Sequence, residues 1–192
     1  MLIKTTDIIT ISGKRESGKT YLSKFLIDSL NANDYDIDIY DINREYDKEY
    51  GNIIRFKSVA DYKEKIPILV NEAMNKGSKF LVIDDADLII DQNSIPSAIL
   101  ECLQIGRHRD IGMILIFRRV NTMHKQVIFN TNHFFIFKSK LLLDRDYFKK
   151  NLSSDFDILN LEQYEFFYMN SLSDVAFKAR INGEVMIKTG DK

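Results

Sequence analysis

The segment ISGKRESGKTYLSKFL, Ile11 to Leu26, decides the fold. Before it, the β-branched run Ile8 to Ile11 reads as a buried strand; after it, Leu22, Phe25, Leu26 and Leu30 recur at helical spacing. Between the two stands Gly13-x-x-x-x-Gly18-Lys19-Thr20, the pattern of a phosphate-binding loop in the strand–loop–helix setting it requires. The glycines let successive backbone N–H groups turn inward as an anion nest, and the helix N-terminus adds the positive end of its dipole. The expected ligand is ATP with Mg²⁺: Lys19 reaches the β- and γ-phosphates, and the Thr20 hydroxyl ligates the cation. The whole loop, Gly13, Lys14, Arg15, Glu16, Ser17, Gly18, Lys19 and Thr20, is expected to contact nucleotide, with Lys14, Arg15 and Glu16 at its variable positions.

Outward from the loop, apolar strands alternate with amphipathic helices. Ile37 to Tyr40, Ile53 to Phe56, Phe80 to Ile83, Ile111 to Phe117 and Phe134 to Phe137 read as strands. One helix is expected to open at Pro67, since proline suits the first helical turn. Another carries Ile95, Ala98, Ile99, Cys102 and Leu103, with Pro96 near its start and Gly106 as a cap at its end. This alternation predicts an α/β fold, a mostly parallel sheet with helices on both faces and ligands at the carboxyl ends of the strands. After Asn151 the pattern changes. Phe166 to Met169, Val175 to Ile181 and Glu184 to Ile187 read as an antiparallel meander with a hairpin turn at Asn182-Gly183, too short for a domain and expected to extend the main sheet. We expect a single domain, 1–192, with a nucleotide-binding core over 1–150 and a helix and meander extension over 151–192.

Composition narrows the classes. The chain has 192 residues, enough for one sizeable core, and a net charge of −1. No apolar run approaches the roughly 20 residues of a membrane helix, and the start MLIKTTDIITISG shows no signal-peptide cleavage pattern, so an intracellular protein is expected. A single cysteine, Cys102, and three scattered histidines offer neither a disulfide nor metal-ligand spacing. Charge is unevenly laid: Ile105 to Lys150 holds ten Lys/Arg against three Asp/Glu, whereas Ile27 to Gln104 holds eight against sixteen. Such a segment is either a solvated face or a surface that meets phosphate.

A second chemical element is KFLVIDDAD, an apolar strand ending in Asp84 and Asp85. A carboxylate at a strand tip holds the Mg²⁺ shell in phosphate-loop enzymes, the role expected of Asp84. A second carboxylate directly after it can orient or deprotonate an attacking water, which suits hydrolysis better than transfer to an acceptor; the alternative is that Asp85 caps the next segment. A small-molecule kinase would need an acceptor pocket and lid. A GTP switch would need an Asn-Lys-x-Asp segment, and the late strands end instead in FRRV and FKSK.

With these elements stand YDINREY after the second strand and GRHRDIGMILIFRRVNTMHKQV leading through the strand after KFLVIDDAD. Over roughly Asp7 to Lys138 the three stretches resemble the FtsK/HerA superfamily of ring-forming DNA-translocating ATPases, whose sheet is of the RecA/ASCE type. The resemblance implies a γ-phosphate sensor at Arg118, where that family usually has Gln. It also implies a finger at Arg107 acting on the neighbouring subunit, with Arg109 as the alternative, and acidic positions at Asp41 and Glu45. The family's Asp-Glu pair is Asp-Asp here, one methylene shorter, so Glu45 could assist Asp85 as base; Val120 stands where Pro is usual. A bare core of this size resembles the packaging ATPases of tailless double-stranded DNA viruses. That implies double-stranded DNA as partner, a hexameric or pentameric homo-oligomeric ring, a capsid or portal-vertex protein, and the host cytoplasm or the virion as location. The alternative is a plasmid- or chromosome-encoded translocase. Arg118 to Lys125 and DRDYFKKNL are the candidate DNA-contacting stretches.

Overall fold

The computed structural model describes residues 3–31, 35–152, 157–171, 175–182 and 185–189. Strands β1 (Ile8–Ser12), β2 (Ile37–Asp41), β3 (Asn52–Arg55), β4 (Lys79–Ile83), β5 (Ile111–Phe117) and β6 (His133–Phe137) run parallel. Strands β7 (Glu165–Asn170), β8 (Val175–Asn182) and β9 (Val185–Thr189) continue the same sheet antiparallel, as expected of the meander. The order β3-β2-β4-β5-β1-β6-β7-β8-β9 puts β1 in the interior and inserts β5 between it and β4. The fold is thus the expected α/β phosphate-loop NTPase fold. The Asn182-Gly183 turn falls at Gly183 outside the described residues.

Near-continuous apolar runs such as FLVI and MILIF form these strands because both faces of the sheet are covered. Helix α1 (Lys19–Asn31) lays Leu22, Leu26, Ile27 and Leu30 over Ile9, Ile11, Val82 and Ile114. Helices α2 (Val59–Lys76), α3 (Ser97–Ile105), α4 (Lys125–Asn130) and α5 (Leu142–Leu152) cover the other face. There Tyr62, Ile66, Ile99, Val127 and Phe148 meet Leu81, Ile83, Met113 and Leu115. Each such side chain, fully buried, contributes about 1.5–3 kcal/mol. Beyond β6 the α1 face is covered by rings instead: Phe137–Phe166, Phe135–Tyr168 and Tyr168–Phe177 lie with centroids 5.2, 5.1 and 5.0 Å apart. Below them a buried polar chain staples the starts of β1 and β6 to β7: Asp7 Oδ2 lies 3.0 Å from His133 Nε2, and His133 Nδ1 lies 2.9 Å from the Tyr168 hydroxyl.

One expectation about helix ends is corrected. Helix α2 opens at Ser58, whose hydroxyl accepts from Asp61 N at 3.1 Å, and Pro67 lies in its interior. The cap and the stripe Tyr62, Ile66, Val70, Ala73 and Met74, all buried, outweigh the missing N–H of Pro67. Lys63, whose carbonyl loses that donor, is exposed and can be solvated. At the end of α3, Gly106 is the cap as expected, its N–H donating to Cys102 O, but it stays right-handed (φ −55°) and the chain continues as a 3₁₀ turn to Arg109; the left-handed residue is Asp110, at φ 55°.

Candidate nucleotide-binding site

The carboxyl ends of β1, β4 and β5 and the loop after β2 converge on a cleft of about 360 Å³. The phosphate loop forms its floor. Gly13 N donates to Phe117 O at 3.3 Å and Lys14 N to Lys138 O at 2.8 Å, which fastens the loop to the ends of β5 and β6. Glycine is required at both motif positions. A Cβ on Gly13 (φ 153°) would come within 2.5 Å of Phe137 Cβ, and one on Gly18 (φ 114°) within 2.7 Å of Tyr164 Cδ1. Lys19 reaches back over the loop and donates to Lys14 O at 2.9 Å. Burial pulls its ammonium down from the usual range, against the pull of Asp85, Asp84, Asp87 and Glu45. Ser17 Oγ is buried with no hydrogen-bond partner, an open donor in a loop built for an anion. Arg15 and Glu16 are exposed and Lys14 half-buried.

Asp84 and Asp85 behave differently although adjacent. Burial, then the neighbouring charge of Asp85, push the Asp84 carboxyl up to about 7. Burial also raises Asp85, but hydrogen bonds from Arg118 and Asn43 outweigh it and hold that carboxyl below its usual range. Arg118 Nε donates to Asp85 Oδ1 at 2.9 Å and Arg118 Nη2 donates to Oδ2. Asn43 Nδ2 bridges the pair, 2.7 Å from Asp85 Oδ2 and 3.2 Å from Asp84 Oδ2. The Asp85 backbone is left-handed, φ 49°, which turns its carboxylate toward Arg118 at the tip of β5. The Tyr62 hydroxyl donates to the Asp84 carbonyl from α2 and anchors the dyad from below. Asn43 lies within the YDINREY stretch but had no role assigned to it there, and Tyr62 had no motif to announce it.

The loop after β2 supplies the third side. Asp41, fully buried, accepts Glu45 N at 3.1 Å and Tyr46 N at 3.2 Å, which folds the loop back and aims Glu45 at the phosphate loop. Glu45 Oε2 accepts from the Thr20 hydroxyl at 2.5 Å, so it stands on the Thr20 side of the cleft. These residues fit a Mg²⁺ shared with a triphosphate: Thr20 and Asp84 offer hard oxygen donors in the same cleft, the phosphate loop also carries the orphaned Ser17 hydroxyl, and such an ion needs only one or two protein ligands. A dedicated cage of three or more Asp, Glu, His or Cys is absent among the described residues.

Lys19, Thr20, Glu45, Asp84, Asp85 and Arg118 are therefore brought together. Arg107 and Arg109 are not: they are exposed on the turn before β5, at the other end of that strand, about 20 Å away at 3.3 Å per residue. The basic segment is likewise divided between the two ends of the sheet. Several of its cations are paired, Arg118 with Asp85, Arg119 with Asp144 at 3.7 Å and Arg145 with Asp146 at 3.0 Å. Among the described residues no helix is long and apolar enough to cross a membrane.

No protein-family model and no curated protein sequence matches the chain. Solved structures do. The genome packaging NTPase B204 from Sulfolobus turreted icosahedral virus 2, in complex with ATP-gammaS, superposes with a TM-score of 0.77 at 23% identity, over 92% of this chain and 98% of that one. The pCW3 conjugation coupling protein TcpA, with ATPgS, gives 0.66 at 15% identity over 90% of this chain and 59% of its own. EssC (ATPases 2 and 3) from Geobacillus thermodenitrificans gives 0.62 at 13% over 91% and 39%. At these identities the likeness establishes the fold. It is the fold that the resemblance to FtsK/HerA-type ATPases implied.

Proposed function

We propose that the chain is an ATP-hydrolysing motor that moves double-stranded DNA, packaging a viral genome into its capsid as a homo-oligomeric ring. The observation that carries hydrolysis is the second carboxylate of β4: Asp85 lines the same cleft as Lys19 and Thr20, with Arg118 arriving from the adjacent strand β5. The loop nest and Lys19 bind the β- and γ-phosphates. Thr20 and Asp84 hold the Mg²⁺, which supplies charge neutralisation to the phosphate oxygens when bound. Asp85 accepts a proton from the water whose oxygen attacks the γ-phosphorus; the bond to the β–γ bridging oxygen breaks, and ADP and phosphate result. Both Asp85 oxygens are taken by Arg118, so turnover requires Arg118 to leave them for the γ-phosphate. Arg107, far from its own cleft, acts on the neighbouring subunit's nucleotide.

Packaging as the task is supported by the likeness to B204 over nearly the whole of both chains. A second reading, a plasmid- or cell-encoded translocase, is favoured by the likeness to TcpA, of which the chain spans little more than half. Steady-state ATP hydrolysis, measured with and without duplex DNA, tests the motor. Stimulation by duplex supports it, and turnover indifferent to DNA leaves a non-translocating ATPase.

A further inference from the structure

An opening of about 370 Å³ continues from the phosphate cleft around the outside of the loop. It shares Arg15, Glu16, Lys19, Thr20 and Glu45 with the cleft and adds Gly18, Tyr21, Gln163 and Tyr164. Tyr21 comes from the first turn of α1 and Tyr164 from the turn before β7. Their rings stand edge to face, 6.1 Å apart at 61°, yet they remain 45% and 41% exposed.

Tyr164 is placed by backbone constraints. Its N–H donates to Ser17 O at 3.0 Å, its carbonyl accepts Ile181 N at 3.0 Å, and the neighbouring Gln163 amide donates to Glu16 O at 3.3 Å. Its φ of 64° is left-handed, uncommon for a bulky residue and held by those contacts. Its ring fills the space that a Gly18 side chain would need. Two partly open aromatic faces thus flank a cavity continuous with the triphosphate site, on the side opposite Asp85 and Arg118. A nucleotide is a planar apolar ring joined to phosphates, and this cavity matches that joint chemistry.

We propose that Tyr21 and Tyr164 form the platform on which the nucleobase of the bound triphosphate stacks; the assignment rests on the nucleotide reading above. Stacking is tolerant, because every base has a π-face. Strong discrimination between bases needs buried polar groups that go unpaired with the wrong one, whereas the polar side chains at this opening other than the phosphate-site pair Lys19 and Thr20, namely Arg15, Glu16, Glu45 and Gln163, are exposed. The site therefore accepts ATP and GTP comparably and prefers purines, whose larger rings cover more of the platform.

Binding of Mg²⁺-ATP and Mg²⁺-tripolyphosphate to the full chain by calorimetry tests this, with thermal unfolding checked for each variant. Tyr164→Ala and Tyr21→Ala should each weaken ATP roughly 5- to 100-fold and leave tripolyphosphate within about twofold, while Tyr164→Phe retains both. Tyr21→Ala guards against a folding artefact, since Tyr21 is not the ring against Gly18. Equal loss of ATP and tripolyphosphate in both alanine variants would make the rings mere supports of the phosphate loop and overturn the platform. So would unchanged ATP binding, or a preference for ATP over GTP beyond about 100-fold. A wild-type chain that binds neither probe removes the nucleotide reading itself, a result distinct from all of these.

Discussion

Arg118 closes both oxygens of Asp85: Nε sits 2.9 Å from Oδ1, and Nη2 contacts Oδ2, where Asn43 also donates. The carboxylate proposed to activate water is therefore held on both oxygens. A γ-phosphate, carrying more charge than one carboxylate, is the natural competitor for that guanidinium.

Asp85→Asn should bind Mg²⁺-ATP within a few-fold of wild type and hydrolyse it about 10²- to 10⁴-fold more slowly, as read by single-turnover kinetics. If Arg118 and Asp85 act on one step, as proposed, adding Arg118→Ala to that variant should cost much less than it does alone. Loss of ATP affinity with no separate effect on turnover would leave Asp85 a cap.

Lys19→Ala removes the positive charge proposed to meet the transferring phosphoryl group. Binding should fall with turnover, the latter by at least about 10²-fold, the scale of one lost transition-state contact. Undiminished hydrolysis would end the phosphate-loop assignment.

Arg107→Ala should cripple hydrolysis, by about 10³- to 10⁵-fold for a finger supplied in trans, and leave nucleotide binding nearly intact. Mixing it with Lys19→Ala subunits should restore some activity, since hybrid interfaces pair an intact loop with an intact arginine. Failure of rescue, together with turnover that survives dilution to monomer, would count against a ring. Arg109→Ala run in parallel identifies which arginine acts.

Duplex binding with ATP present should weaken steeply with salt, with a log–log slope of about −0.9 per phosphate neutralised. Lys149 and Lys150 end α5, so their replacement by Gln should lower DNA stimulation and spare basal hydrolysis. The Lys138–Lys140 strip is a poorer place to look, because the Lys138 carbonyl holds the phosphate loop through Lys14 N. Binding insensitive to salt would remove the phosphate-backbone contact from the mechanism.

Burial raises the Asp7 carboxyl, but hydrogen bonds from His133 and the Lys4 amide outweigh it and set it below its usual range. With the folded value below the unfolded one, the stabilisation is fully present above about pH 4 and is lost as pH falls through the folded value. Asp7→Asn should thus lower stability near neutrality by about 1–3 kcal/mol and flatten the acid limb below pH ~4 in chemical denaturation. An acid limb parallel to wild type would deny the staple this role.

The phosphate loop and the Asp84–Asp85 pair were legible because each couples a strand end to a fixed spacing that physics restricts to few uses. Asn43 was not: it meets Asp84 and Asp85 only once β2 and β4 pair, some 40 residues apart in sequence. Tyr164 was hidden more deeply, since its contact with Ser17 depends on the whole meander returning to the first strand's loop. Pro67 misled because its local preference for a helix start was overruled by the Ser58 cap and an apolar stripe spanning both sides of it. Arg118 lies in the cleft with Asp85, yet its grip on that carboxylate depends on the left-handed backbone of Asp85, which no pattern of residue types reveals.

The link from Ser17 O to Tyr164 N, and from Tyr164 O to Ile181 N, also has a mechanical meaning. It is a stiff tie, two hydrogen bonds in series with one residue between them, joining the loop that grips phosphate to strand β8. It is the route by which a load on β8 would reach the phosphate loop. Conversely, a displacement of the loop would be passed to β8 through the same two bonds.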